Sequence, residues 1–297
     1  MPDKFEGTLR MTRMPSLKSR SQDPRRQLVV ITGCDSGIGK CLTDILLTRG
    51  YAVLSSYLEL PNEPRDSLHF THRLDLRDEA QIVSFSEKAL ELTGERYRFF
   101  ALVNNAGTAS AAPIETLLMK ALREVFEVNF FGMVALTQKL VPRLIEEKAR
   151  VLIVGSAAGR VSLPYFLPYC ASKFAVVAFA DSLRRELAHL GVRIILAEPR
   201  AIASPIWGKT YSEIEDKVIP GAGDRYEKNI RRGAEYFVKG GRSGLSPEKA
   251  AAMIADILEK PAPSPRYTIS KNRALVRLQA LVPAVLADVV IARLFGR

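Results

Sequence analysis

From Gln27 to Pro199 short apolar runs alternate with longer amphipathic ones, and this alternation restricts the fold more than any other feature of the chain. "QLVVIT" (Gln27–Thr32), "YAVLSSYL" (Tyr51–Leu58), "LHFTHRLDL" (Leu68–Leu76), "FFALVNNAG" as far as Asn104, "RVLIVGS" (Arg150–Ser156) and "VRIILAEP" (Val192–Pro199) have strand length. Most are rich in the β-branched and aromatic residues that pleated, half-buried surfaces favour. Between them, apolar residues recur at helical spacing in "GIGKCLTDILLTRG", which closes on Gly50, in Glu79–Thr93, over 120–148, and in Tyr169–Gly191. Strands that are apolar throughout need cover on both faces, and alternating helices supply it. The chain therefore predicts an α/β fold, a doubly wound parallel sheet with helices on both faces, in a single domain. Ligands of such sheets bind beyond the carboxyl ends of the strands.

The candidate motifs fall at those ends. "TGCDSGIGK" (Thr32–Lys40) joins the first strand to the first helix. Its glycines Gly33, Gly37 and Gly39 permit a tight turn and close backbone approach, and the helix beyond offers free N–H groups to a pyrophosphate. A plain strand–helix turn would use the same glycines, but their place between a buried strand and a helix favours a dinucleotide. "NNAG" (Asn104–Gly107) ends another buried strand, where its amides brace the sheet or approach a ribose. Ser156 ends the "VLIVG" strand, and Tyr169 and Lys173 lie one helical turn apart on one face. A free tyrosine has a pKa of about 10 and is a poor base at neutral pH. A nearby ammonium and a cationic nicotinamide favour the phenolate. A Tyr–Lys pair at this spacing is by itself more often a surface pair; Ser156 and the glycine loop turn the reading toward a tuned acid/base.

With these residues in view the sequence resembles the short-chain dehydrogenase/reductase family, from residue 27 to about 205 and loosely beyond. The matching elements are "TGCDSGIG", "NNAG", Asn129 in "VNFFG", Ser156 in "VGSAAG", and Tyr169 with Lys173 in "YCASK". "PYCASKFAVVAFADSLRREL" and "EPRAIASPIW" resemble the retinol and hydroxysteroid dehydrogenase branch. The resemblance implies a Rossmann-type oxidoreductase using NAD or NADP on an alcohol or carbonyl of a small apolar substrate, a retinoid, steroid or similar compound. By that resemblance Tyr169 is the general acid/base, Lys173 holds the ribose and lowers the tyrosine pKa, Ser156 binds the reacting oxygen, and Asn129 supports a water in the proton relay. The implied cofactor contacts are Thr32, Gly33, Asp35, Ser36, Gly37, Ile38 and Gly39 in the loop, with Asn105, Ala106 and Gly107 beside it. Asp75 would meet the adenine, with Leu76 adjacent, and Pro199, Arg200, Ile202 and Ser204 would flank the nicotinamide, with Tyr169 and Lys173 also touching the dinucleotide.

Three features depart from the family pattern. Arg200 stands where glycine usually follows the proline, and Ser204 replaces a common threonine while keeping a hydroxyl. "LSSYLE" lacks the usual acid for a ribose 2′-hydroxyl and any arginine for a 2′-phosphate, so Glu59 is the candidate acid and the balance tips toward NAD. Two other functions remain open at this stage: a 3-oxoacyl thioester reductase, and a cofactor-binding sensor or scaffold without catalysis.

The flanks read differently. The net charge of +11 sits at the ends: residues 1–26 hold seven basic and three acidic side chains, residues 221–297 fourteen and seven, and the middle twenty-two of each. Charge confined to appendages points away from nucleic acid as a partner. Residues 1–26 read as a disordered basic tail without a secretory apolar segment. The dehydrogenase domain is expected over 27–270, with 204–245 as a variable substrate segment containing Trp207. The extension 271–297 is apolar with spaced arginines; it reads either as an interfacial helix touching a membrane peripherally or as a helix packed on the pocket or on a partner subunit. Only ten uncharged residues separate Arg277 from Asp288, too few to span a bilayer. Cys34, Cys41 and Cys170 are few and not spaced as metal ligands, and the three histidines are scattered; no metal and a reducing, cytoplasmic setting are expected. The family resemblance adds a homodimer or homotetramer.

Overall fold

The computed structural model describes residues 24–94, 96–203, 208, 211–212, 214–271 and 284–295. In chain order its elements begin β1 (Arg26–Ile31), α1 (Gly37–Thr48), β2 (Ala52–Tyr57), β3 (His69–Arg73), α2 (Glu79–Leu92) and β4 (Tyr97–Asn104). They continue with α3 (Met119–Phe126), α4 (Gly132–Glu146), β5 (Arg150–Val154), α5 (Leu167–Leu187) and β6 (Arg193–Pro199). The last are α6 (Ile219–Ala222), α7 (Asp224–Arg242), α8 (Pro247–Glu259), β7 (Arg266–Ile269) and α9 (Ala284–Phe295). Ser204, Trp207, most of the N-terminal tail and residues 272–283 of the extension lie outside the described residues.

The seven strands form one sheet in the order β3-β2-β1-β4-β5-β6-β7, every pairing parallel. The apolar strand runs explain why both faces are covered. Val30, Leu102 and Ile153 pack under α2, α4 and α5 through Phe85, Leu136, Leu140 and Val176. Val29, Ile31 and Val103 pack under α1 and α8 through Leu42, Leu46, Ile254 and Leu258. Each such fully buried side chain contributes about 1.5–3 kcal/mol relative to exposure. The strand order reverses between β1 and β4, and Ile31 pairs with Val103 there, so Thr32 and Asn104 leave the sheet side by side. This is the switch point at which a crevice opens.

Two expectations change in detail. The helix read over 120–148 is two helices joined by a π-helical turn, Glu127–Phe131. Its wider turn breaks the 3.6-residue phase and carries the polar Asn129 inward to 2% exposure. The variable segment is more helical than its sequence pattern showed: a second π turn, Ile214–Val218, leads into α6 and α7. Ile214, Ile219, Ala222, Ile230 and Ala234 from this segment pack on Phe166 and Cys170 at the start of α5. The segment therefore lies over the end of α5 that carries Tyr169.

Candidate active site

The glycine loop is held in shape by its neighbours. Gly33 and Gly37 adopt left-handed backbone, with φ of +70° and +60°. A Cβ on Gly33 would lie 2.7 Å from the Ala106 Cα, and one on Gly39 would lie 2.2 Å from the Gly33 carbonyl oxygen. The Thr32 hydroxyl accepts the N–H groups of Asn105 and Ala106, both at 3.0 Å. The Asn105 amide donates to the carbonyls of Thr32 and Gly33, both at 2.9 Å. At the far side Gly33 N–H donates to Ser56 Oγ, and Cys34 N–H to the Ser56 carbonyl, each at 2.9 Å.

The loop delivers the chain into α1 with its first turn uncapped. Ser36 is the N-cap residue, yet its side chain makes no hydrogen bond to the helix, and the first turn contains no acid. Asp78 and Ser246 do cap α2 and α8 in the usual way. Backbone N–H groups and the positive end of a helix dipole thus face a crevice whose wall is glycine. These features fit the pyrophosphate of a dinucleotide.

The second half of the site lies across the crevice. Ser156 follows β5, and its Oγ accepts the Ala158 N–H at 3.1 Å and shares a side-chain hydrogen bond with the Tyr169 phenol. Lys173, 5% exposed, donates from Nζ to the Val154 carbonyl at 3.2 Å and sits 5.8 Å from the centroid of the Tyr169 ring. Asn129 accepts the Thr108 N–H through Oδ1 at 2.8 Å, and its Nδ2 donates to the Thr108 carbonyl and to Ser172 Oγ, both at 2.9 Å. Ser172 in turn donates to the Tyr169 carbonyl at 2.8 Å. Gly107 closes the group, since a Cβ there would come within 3.3 Å of Asn129 Oδ1 and 3.6 Å of Lys173 Nζ. Asn129, Ser156, Tyr169 and Lys173 are therefore brought together. Ser172 and Thr108 complete the arrangement without having been singled out in the sequence. Ser172 is three residues past Tyr169 and could have been found by helical spacing.

Burial sets the electrostatics of the pair. Burial pushes the Lys173 ammonium down to about 8. Burial also raises the Tyr169 phenol above its ordinary value, outweighing the Ser156 hydrogen bond that lowers it. Lys173 directs its Nζ to the Val154 carbonyl, and at the phenol desolvation is the larger influence.

Other expected cofactor contacts are placed as follows. The Asp75 carboxylate is gripped by Arg77, with 2.6 Å to the nearest guanidinium nitrogen, and this bond holds the carboxyl below its usual range. The side chains of Leu76 and Ile202, each 5% exposed, are absorbed into the core, which leaves their backbone to meet a cofactor. Their apolar groups gain more from burial than from a polar crevice. Asn105 is likewise spent on bracing the loop. Ile38 is partly buried against the α1 side of the core, and Glu59 is exposed on the bend after β2. Pro199 ends β6, and Arg200 continues its ladder by donating N–H to the Ile269 carbonyl at 3.1 Å. One ion pair near the site went unnoticed in the sequence: Arg160, just after Ser156, pairs with Glu198, which is 1% exposed on β6. It fastens the Ser156 turn to the strand that leads into Pro199.

Comparison with known proteins accords with this geometry. The short chain dehydrogenase family model matches residues 27–215. The chain is 30% identical over 256 residues to 3-amino-tetrahydro-pyrrolizinone reductase of Xenorhabdus hominickii, covering 83% of this chain and 88% of that protein. It is 30% identical over 287 residues to retinol dehydrogenase 16 of Homo sapiens, covering 90% and 88%. Among solved structures, a short chain dehydrogenase from Burkholderia cenocepacia in complex with NADP superposes with a TM-score of 0.68 at 21% identity, covering 92% of this chain and 99% of that one. The matched family segment holds both the glycine loop and the Ser156–Tyr169–Lys173 group, and the chain belongs to the short-chain dehydrogenase family.

Proposed function

We propose that this chain is an NAD(P)-dependent oxidoreductase acting on an alcohol or carbonyl of an apolar substrate. The observation that carries the reading is the placement of Ser156, Tyr169 and Lys173 across the crevice from the uncapped N-terminus of α1. The dinucleotide, when bound, supplies the hydride acceptor or donor. Tyr169 moves the proton of the substrate oxygen. Ser156, hydrogen-bonded to the phenol, steadies that oxygen. Lys173 keeps a positive charge beside the phenol below about pH 8. Asn129 and Ser172 fix the α5 backbone at Tyr169 and so set the position of the phenol. Residues 27–270 form the working domain. Its variable segment packs Ile214, Ile219 and Ile230 on Phe166 and Cys170 at the start of α5, and this apolar setting beside Tyr169 favours an apolar substrate over a charged one.

Titration with NAD and NADP, followed by a panel of retinoid, steroid and soluble acyl-thioester substrates, tests this. Dinucleotide binding with turnover of an apolar alcohol or ketone is the expected result. Binding without any turnover would leave a sensor, and turnover of the thioester alone would assign a 3-oxoacyl reductase.

Among the described residues no helix is long and apolar enough to cross a membrane. Helix α9 nevertheless exposes Val285, Leu286, Val289 and Val290 on neighbouring turns, with Arg293 beyond them. This stripe supports peripheral contact of the extension with a membrane surface. A chain ending at Lys271 is expected to lose binding to anionic liposomes in a flotation assay; equal binding by both lengths would remove the idea.

A further inference from the structure

Which dinucleotide the crevice selects is decided at its adenosine end. In doubly wound sheets an acid about twenty residues beyond the glycine loop holds the free 2′-hydroxyl of the ribose, whereas an arginine nearby accommodates a 2′-phosphate. Here β2 runs straight into Leu58, which is 53% exposed and carries no charge. The charge arrives from the opposite wall. Asp35, exposed within the glycine loop, accepts the Leu58 N–H on Oδ1 at 3.0 Å. This bond fastens the loop to the end of β2 and sets a carboxylate in the cleft between them. Two more bonds fix the same junction, from Gly33 N–H to Ser56 Oγ and from Cys34 N–H to the Ser56 carbonyl. The position of the carboxylate is thus built into the backbone rather than left to a mobile side chain.

Two of the guanidinium groups that could offset this charge are committed elsewhere. Arg65, on the loop after β2, pairs with Asp44 of α1 and donates to the Lys40 carbonyl. Arg77 is held by Asp75. Lys40 on α1 and Arg73 at the end of β3 remain as exposed or partly exposed cations, but neither is fastened to the junction of loop and strand as Asp35 is. Glu59, the acid the sequence suggests, sits on the exposed bend one residue further from the strand.

We infer that Asp35, reaching across from the glycine loop, takes the place of the acid missing from β2 and makes the enzyme select NAD over NADP. The inference rests on the dinucleotide reading above. A fixed carboxylate accepts a hydrogen bond from a ribose hydroxyl and repels a phosphate of like charge at the same point, so one group discriminates in both directions.

The experiment is equilibrium titration of the full chain with NAD and with NADP by calorimetry, for the unaltered protein and for Asp35→Asn, Asp35→Ser and Glu59→Gln. The Asn variant keeps an oxygen for the Leu58 N–H and removes only the charge, and thermal melting checks that each variant folds. The unaltered protein is expected to bind NAD about 100-fold more tightly than NADP, and Asp35→Asn to move that ratio at least about tenfold toward NADP, as the loss of one close like-charge contact implies. Asp35→Ser is expected to shift in the same sense, and Glu59→Gln to leave the ratio within about twofold, an exposed charge being screened. An unchanged ratio in Asp35→Asn, a shift produced by Glu59→Gln instead, or a preference of the unaltered protein for NADP would each overturn the inference while the dinucleotide reading stood. Failure of the unaltered protein to bind either dinucleotide would overturn both.

Discussion

Tyr169→Phe is expected to reduce turnover by about three orders of magnitude, the range in which a positioned acid/base acts, while dinucleotide affinity stays within about twofold. The substitution removes one oxygen and nothing else. The ring keeps its place on α5, and the Ser172 bond to the Tyr169 carbonyl is untouched. What disappears is the hydrogen bond to Ser156 and the proton that the phenol exchanges with substrate. The raised phenol also fixes the sign of the pH dependence. Because burial holds Tyr169 in its protonated form through neutral pH, carbonyl reduction has its acid ready at pH 7. Alcohol oxidation needs the phenolate, so its kcat/KM is expected to climb with pH through the alkaline range while the reduction rate holds level and then falls. Stopped-flow or steady-state rates in both directions read this, with circular dichroism confirming that the variant is folded. Turnover retained by Tyr169→Phe, or an oxidation rate that falls with rising pH, would remove Tyr169 from the role of acid/base.

The fold was legible because the signals were local and redundant. Five of the seven strands are apolar runs, β3 (His69–Arg73) showed only within the longer stretch "LHFTHRLDL", and β7 was readable only as an edge strand because Arg266–Ile269 is short. The glycine loop was legible from Gly33, Gly37 and Gly39: the first two hold left-handed backbone, and the first and last have neighbours too close for a Cβ. Relations between segments were less visible. Nothing in "LDLRDE" shows that Arg77 will occupy the Asp75 carboxylate, since an ion pair two residues apart depends on how the chain bends after β3. Leu76 and Ile202 stand beside cofactor positions in sequence, yet their side chains turn to the core; alternation along an irregular stretch cannot be phased in advance. The Arg160–Glu198 pair and the Asp35 bond to Leu58 join residues 38 and 23 positions apart, so only the folded sheet reveals them. The π turn at Asn129 was hidden for a related reason: both flanking helices keep their own apolar phase, and the extra residue shows only as a shift between them.

Lys173→Met is expected to make the protein more stable and nearly inactive. The ammonium is 5% exposed and burial lowers it from 10.5 to about 8. A depression of that size corresponds to a destabilisation on the order of 3 kcal/mol whenever the lysine is charged in the folded state. Methionine fills the same space without a charge to desolvate. It gives up the bond to the Val154 carbonyl, a loss of about 1 kcal/mol. The net expectation is a gain on the order of 2 kcal/mol at pH 7, or a rise in Tm of roughly 4–8 °C for a chain of this size. The pH dependence supplies the decisive readout. Below about 8 both folded and unfolded chains hold the proton, and the destabilisation of the natural protein is complete. Between about 8 and 10.5 the unfolded chain binds more protons than the folded one, so the natural protein gains stability as pH rises. The difference in Tm between the two proteins should therefore be constant below about pH 8 and narrow above it. A lysine kept for packing alone would give the opposite, since trimming its contacts would lower Tm at every pH. Turnover should fall about 100-fold or more in the same variant, because the positive charge beside the phenol is gone. A Tm that drops on substitution, or a gap that does not change with pH, would show that the buried ammonium carries no strain, and that the site does not trade stability for a charge held beside Tyr169.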